Sequence, residues 1–212
     1  CLMSMKFLII SLLMFSSLGL IFPTAYSLEN IPDDWIEWTE GITLSFSDFK
    51  AEPYQYPDYI DHEEYFSLAG YEPGGVAVTA IDFEWTIERT DFSGCSYHWK
   101  MTDIAAYFSP HDSWLLPVDH TNEALNHELG HFHIAQIIAD RYKNTDTQGL
   151  CPNGIFDEEE IREHHENIQI AQLTEMNLLY DKEVYANGNA AVGASKQVEW
   201  NKKINHELSR HH

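Results

Sequence analysis

Apolar and polar residues alternate along several stretches of the first half of the chain, as they do in half-buried β-strands. The clearest alternation covers residues 76–89, and its partner strand is expected over residues 97–108, after a turn signal at 91–94. Shorter alternations cover residues 35–38 and 42–46. The apolar side chains that would share one face of the clearest strand are Ile81, Phe83, Trp85 and Ile87. The pattern predicts an antiparallel sheet with one solvated face.

In the second half of the chain, apolar residues recur at a spacing of three and four positions instead. The spacing starts at Ala124 and predicts a helix with Thr121 as its N-cap and an end near Asn144. After a polar loop, a long helix is expected from about residue 157 to residue 185, and a short one from about 196 to 208. The expected fold class is therefore α+β, an N-terminal antiparallel sheet followed by a helical half.

The first predicted helix carries the residues His127-Glu128-Leu129-Gly130-His131, which fit the pattern H-E-x-x-H. Residues four apart lie on one face of a helix, so the two imidazoles can bind one Zn²⁺. The glutamate between them can reach a metal-bound water, whose pKa zinc lowers to about 7. The pattern predicts metal-assisted hydrolysis with Glu128 as the general base and a peptide bond as the default substrate. The alternative is two surface histidines on an ordinary helix.

A zinc site of this kind needs a third protein ligand and leaves the fourth position open for water. The extended metzincin pattern is absent, because Ile134 and Ile137 stand where it has a glycine and a third histidine. His133 is no substitute, since two residues along a helix correspond to about 200° around its axis. A carboxylate on a later helix is the simplest source. Helix-hairpin geometry alone favours the middle of the long helix, where Glu175 lies.

The N-terminal segment has the composition of a secretory signal peptide. It combines Lys6, an apolar run over residues 7–22, and small residues at Ala25 and Ser27, so cleavage is expected near Ser27. A retained anchor helix is the alternative, although the apolar run is short for a membrane span. The expected organisation is a signal peptide over residues 1–27 and a single domain over residues 28–212, in a secreted or periplasmic protein.

The chain is strongly acidic, with 34 Asp and Glu residues against 12 Lys and Arg residues and a net charge of −22 at pH 7. Removing residues 1–27 from the 212 removes one positive charge, Lys6, and leaves −23 on 185 residues. Such a charge argues against nucleic-acid binding and against adhesion to anionic membranes.

Two cysteines, Cys95 and Cys151, lie in the expected mature chain. In an exported protein they can form one disulfide. They can equally remain two free buried thiols, and the sequence leaves both possibilities open.

Three stretches in the same order along the chain carry a resemblance to a known family. The first is residues 42–50, ITLSFSDFK, and the second joins residues 107–114 to residues 125–135 around the motif. The third joins residues 180–183 to residues 197–200. Together they resemble the bacterial predicted secreted zinc-dependent proteases, a domain-of-unknown-function family with an HExxH motif. The resemblance implies a zincin-like helical half, a zinc cofactor and a peptide or protein substrate, without stable membrane association after signal cleavage.

One departure from the family bears on the third ligand. The family has Thr, and then His two residues later, after its Tyr-Asp-x-Glu, whereas this chain has Val184 and Ala186. If that histidine were the third ligand, the site would be impaired here. If the acid of Tyr-Asp is the ligand, the site is intact. The resemblance therefore nominates Asp181, with Glu183 and Glu175 as alternatives.

The function expected from the sequence is a secreted zinc metallohydrolase, an endopeptidase in its simplest form. His127, His131 and Asp181 would bind the metal, and Glu128 would move the proton. Two alternatives are a catalytically inactive binding module of the same fold and a zinc amidase acting on cell-wall peptides.

Overall fold

The computed structural model describes residues 6–10, 32–53, 75–91, 95–143, 145–185 and 190–210. Within them, the strands are β1 Lys6–Ile10, β2 Ile36–Glu37, β3 Gly75–Val76, β4 Thr79–Asp91, β5 Ser96–Phe108, β6 Trp114–Leu115 and β7 Asp146–Leu150. The helices are α1 Asn122–Tyr142, α2 Glu158–Val184 and α3 Ala190–Leu208. This mixture of antiparallel sheet and packed helices confirms the expected α+β class.

The long hairpin β4–β5 forms the centre of the main sheet. β1 pairs antiparallel with β4, while β2 and β7 pair antiparallel with β5. Glu84 is paired with Asp103 and Trp85 with Met101, so Thr102 is an extra residue in β5. This bulge changes which positions of β5 face the core, because side chains alternate between the two faces of a strand. The buried residues of β5 are accordingly Tyr97, Trp99 and Met101 before the bulge, and Ile104, Ala106 and Phe108 after it.

The predicted buried face of β4 is confirmed at Ile81, Phe83 and Trp85, and Ile87 is half-buried. On the opposite face Asp82 and Thr86 are half-buried and Glu88 is exposed. A second, two-stranded sheet pairs β3 with β6. β3 also approaches α1, which places a short strand beside the HExxH helix.

Helix α1 packs against the main sheet on one side and against α2 and α3 on the other. Its core residues Phe132, Ile134, Ile137 and Ile138 are therefore fully buried. Thr121 is the N-cap, as predicted, and its hydroxyl oxygen accepts a hydrogen bond of 3.1 Å from the backbone N–H of Ala124. The helix ends at Tyr142, close to the predicted end.

Three predictions of local structure were wrong. Residues 42–46 form no strand, and the short alternation there leads into a 3-10 turn at Phe46–Asp48. The predicted polar loop after α1 contains β7, which forms because the long strand β5 offers an edge for it to pair with. Helix α3 starts at Ala190, six residues before the predicted start. Residues 92–94 of the predicted turn and Ala186 lie outside the described residues.

Cys95 and Cys151 form a disulfide, which settles the question that the sequence left open. The backbone N–H of Cys151 also donates to the carbonyl of Cys95 at 3.1 Å, so the bridge closes the end of the β5–β7 pair.

β1 lies inside the segment predicted as a signal peptide, and that prediction stays untested. Among the helices of the described residues, none is both long and apolar enough to cross a membrane.

Candidate metal centre

Three ligand atoms from two helices converge in the interior of the protein. His127 and His131 stand one turn apart on α1 and face α2, which contributes Asp181. Asp181 Oδ1 lies 3.0 Å from Nε2 of each histidine, and the two Nε2 atoms lie 3.3 Å apart. The three residues are only 3% to 7% exposed. They are the one group in the described residues with the composition and spacing to hold a metal ion.

The size and chemistry of this triangle fit zinc. Zn–N and Zn–O bonds of about 2.0–2.2 Å in a tetrahedron place neighbouring ligand atoms roughly 3.3–3.5 Å apart. The observed separations of 3.0 and 3.3 Å are close to one face of such a tetrahedron. Two imidazole nitrogens and one carboxylate oxygen also form a donor set that zinc accepts. Three protein ligands leave a fourth position open, which is typical of catalytic rather than structural zinc sites.

The outer nitrogen of each imidazole contacts a side-chain amide. His131 Nδ1 lies 3.0 Å from Asn177 Oδ1, and His127 Nδ1 lies 3.3 Å from Gln197 Oε1. The Gln197 amide nitrogen donates to Asn201 Oδ1 at 2.8 Å, which leaves its oxygen for His127. An amide oxygen only accepts hydrogen bonds, so each Nδ1 carries a proton and each Nε2 is the nitrogen left for a metal ion. This arrangement is the outer shell that orients metal-binding histidines.

In the metal-free centre, His131 and Asp181 form an ion pair. Burial opposes the charged imidazole, but the carboxylate of Asp181, the charge of Glu128 and the hydrogen bond to Asn177 together raise the pKa of His131 to about 9. Burial also opposes ionisation of Asp181, yet the charge of His131 and hydrogen bonds from both histidines lower the pKa of that carboxyl. A metal ion would replace the proton on His131, because it binds through a neutral imidazole.

Glu128 lies beside the triangle and is 4% exposed. Burial raises the pKa of its carboxyl, although the two histidines and a hydrogen bond from the backbone N–H of Ala77 pull the pKa down. β3 passes close to the carboxylate, since a Cβ atom on Gly75 would lie 3.1 Å from Glu128 Oε1. A carboxyl group with a raised pKa is suited to accepting and returning a proton near neutral pH.

Tyr180 supports both histidines from behind. Its ring stacks on His127 with centroids 4.6 Å apart and meets His131 edge-on at 5.0 Å. Its hydroxyl donates to the carbonyl of His127 at 3.1 Å and accepts from Gln197 Nε2 at 2.6 Å. Tyr180 is fully buried, so it packs behind the two histidines and is closed to a ligand from outside.

Gly130, the fourth residue of the motif, allows this close contact. A Cβ atom there would lie 2.7 Å from Tyr180 Cζ and nearer still to the hydroxyl oxygen. Glycine weakens a helix interior by about 1 kcal/mol relative to alanine. That local cost is offset here by the approach of α2 to α1.

The two alternative acids do not join the centre. Glu175 is exposed, because its six-residue separation from Asp181 turns it about 120° away from the buried face of α2. Glu183 is half-buried and accepts a hydrogen bond of 2.9 Å from Trp200 Nε1. His133 is also outside the centre, as predicted: its Nδ1 accepts from Trp38 Nε1 at 2.9 Å, and burial lowers its pKa to about 4.

A cavity of about 680 Å³ opens beside His127 and Glu128. Its volume lies within the range of small-molecule and peptide sites. Residues of α1 and α3 line it, together with β3 and the end of α2. The lining residues are Gly75, Asp119, Thr121, Glu123, Ala124, Asn126, His127, Glu128, Val184, Tyr185, Gly193, Ala194, Gln197, Val198 and Asn201.

Sequence reasoning missed the amides that hold the histidines. One signal was available, because Asn177 precedes Asp181 by four residues and so repeats on α2 the spacing of His127 and His131 on α1. Gln197 had no comparable signal, since it reaches the centre from a third helix through tertiary packing alone.

No family model, curated protein or solved structure matches this chain. The family resemblance seen in the sequence therefore stays a prediction.

Proposed function

We propose that this protein is a secreted zinc-dependent metallohydrolase, and specifically an endopeptidase with a zincin-like pair of helices at its centre. The observation that carries the proposal is the triangle of His127 Nε2, His131 Nε2 and Asp181 Oδ1, which has the size of one face of a zinc tetrahedron. A buried carboxyl group and an open cavity lie at the same place.

Each residue of the centre has a distinct part in this proposal. His127, His131 and Asp181 would hold Zn²⁺, which when bound supplies a Lewis acid that acidifies water and polarises a carbonyl group. Glu128 accepts the proton of the attacking water and returns it to the leaving amine. Its buried surroundings raise the pKa of the carboxyl and so favour the return of the proton.

The surroundings of Glu128 support a peptide as the substrate. Among the described residues β6 is the only strand that pairs with β3, so one edge of β3 has no strand partner there. An extended peptide can pair with such an edge and so pass beside the catalytic carboxylate. The backbone N–H of Ala77, which now binds Glu128, lies directly after β3.

Replacing one carboxylate oxygen of Glu128 by an amide nitrogen tests the proposal. We expect Glu128→Gln to keep one zinc ion per chain and to lose peptide hydrolysis by about 10²- to 10⁴-fold, the usual contribution of a general base. Glu175→Gln is the matched control, because it makes the same chemical change on an exposed face of α2. Zinc is counted by elemental analysis, and hydrolysis is followed with a quenched-fluorescence peptide library.

Two outcomes would overturn the proposal, and two others would redirect it. Wild-type hydrolysis by Glu128→Gln, or a wild-type protein that takes up no zinc, would overturn it. A zinc-loaded protein that cleaves neither proteins nor peptides would indicate a binding module. Cleavage confined to cell-wall peptides would indicate an amidase.

A further inference from the structure

The cavity beside the metal centre has a one-sided charge. Among the described residues, three carboxylates line it, from Asp119, Glu123 and Glu128, and no lysine or arginine does. Glu128 belongs to the proposed catalytic centre. Neither Asp119 nor Glu123 forms an ion pair with another described residue. Glu123 is exposed and Asp119 is half-buried, so both carboxylates are free to meet a ligand that enters.

Small apolar residues form part of the remaining wall, beside the polar residues Thr121, Asn126, Gln197 and Asn201. α1 contributes Ala124, the end of α2 contributes Val184, and α3 contributes Gly193, Ala194 and Val198. Val198 is 52% exposed, so its apolar surface is open to a ligand in the cavity. A long methylene stem can cover such a surface while its charged end stays near water.

We propose that this cavity binds a lysine or arginine side chain of the substrate next to the bond that is cleaved. The stem lies along the wall formed by α1 and α3, and the cation faces Asp119 and Glu123. An acidic side chain is disfavoured there, because it would meet the carboxylates of Asp119 and Glu123 and no lysine or arginine of the described residues. This inference rests on the proposed function in taking a peptide as the ligand and in placing it beside the cleaved bond, whereas the preference for a basic side chain is tested by binding alone.

Peptide binding to an inactive protein separates this inference from catalysis. The probes are blocked alanine-rich decapeptides that carry a single Lys, Leu or Glu at each position in turn. Calorimetry measures their binding to zinc-loaded Glu128→Gln, and kcat/KM is measured for the same peptides with the wild-type protein. We expect Lys to exceed Glu at one position by on the order of tenfold, and the preference to shrink as salt is added.

A double variant and a matched control identify the source of that preference. Asp119→Asn with Glu123→Gln should abolish the preference for Lys and leave zinc content unchanged. The control variant, Glu158→Gln with Glu175→Gln, also removes two negative charges, but from α2. Glu158 lies in the first turn of its helix, as Glu123 does, and this variant should preserve the preference for Lys. Circular dichroism verifies that both double variants are folded.

The outcomes separate the two proposals. Equal binding of Lys and Glu peptides, no measurable binding of the Lys peptides, or a preference that survives the double variant overturns the basic-residue subsite. If the wild-type protein cleaves peptides regardless of charge, the hydrolase stands and the subsite fails. If Glu128→Gln binds Lys peptides selectively and the wild-type protein cleaves none of them, the subsite stands and the hydrolase fails.

Discussion

Replacement of Gly130 by alanine should disturb the metal centre without touching a ligand. The new Cβ atom would lie 2.7 Å from Tyr180 Cζ and 2.9 Å from Cε1, whereas real Cβ atoms essentially never come within 3.0 Å of such atoms. The ring of Tyr180 must therefore move by several tenths of an ångström or more. That movement stretches the hydrogen bonds from its hydroxyl to His127 and from Gln197 to its hydroxyl.

The expected magnitudes follow from two opposing terms. Overpacking a core costs about 1–3 kcal/mol, while exchange of glycine for alanine in a helix returns about 1 kcal/mol. Gly130→Ala should therefore lower the free energy of unfolding by about 0–2 kcal/mol. Misplacement of the outer shell of a metal site typically lowers metal affinity by about 10- to 100-fold, so zinc binding should suffer more than stability.

Gly149→Ala provides a matched control at a distance from the centre. A Cβ atom on Gly149 would lie 2.6 Å from the hydroxyl oxygen of Tyr97, which is itself 3.0 Å from His165 Nε2. The strain is of the same kind, but it falls on the β5–β7 pair. Urea unfolding measures stability, and competition with a chelator measures zinc affinity. Wild-type zinc affinity in Gly130→Ala, or an equal loss in Gly149→Ala, would refute the positioning role of Tyr180.

Further predictions concern the disulfide, the protons of the centre and the packing of α1. Replacing Cys95 and Cys151 by serine opens a link across 56 residues and should cost up to about 4 kcal/mol of unfolding free energy in urea, and an unchanged midpoint would contradict this. The pKa of His131 in the metal-free protein is raised from 6.5 to about 9, so its stabilisation is complete below pH 6.5 and is lost as the pH rises through 9. Zinc affinity should rise about tenfold per pH unit over that same window, because binding releases this proton, and calorimetry that finds no slope would count against the ion pair. Trp38→Phe leaves the acceptor on His133 without its donor and should cost about 1–3 kcal/mol of unfolding free energy, and a loss below about 0.5 kcal/mol would show that the bond does not matter.

Local patterns predicted the elements whose causes are local. Residues four apart share a helix face in any protein, so the paired histidines of α1 could be placed from their spacing alone. The cap at Thr121 and the buried face of β4 follow from equally short-range rules. β7 escaped prediction because its five residues, of which only Leu150 is a large apolar residue, pair with an edge that lies about fifty residues away in sequence.

The sequence by itself determined that two imidazoles and a glutamate would share one stretch of helix. It left three acids as candidates beside them, and the choice of Asp181 came from a resemblance. Only the tertiary structure decided which acid meets the histidines, because that depends on the rotation of α2 and on its close approach at Gly130. It also decided that Cys95 and Cys151 pair, with their Cα atoms 5.4 Å apart. Contacts between distant segments depend on how whole elements pack, and no short window of sequence contains that information.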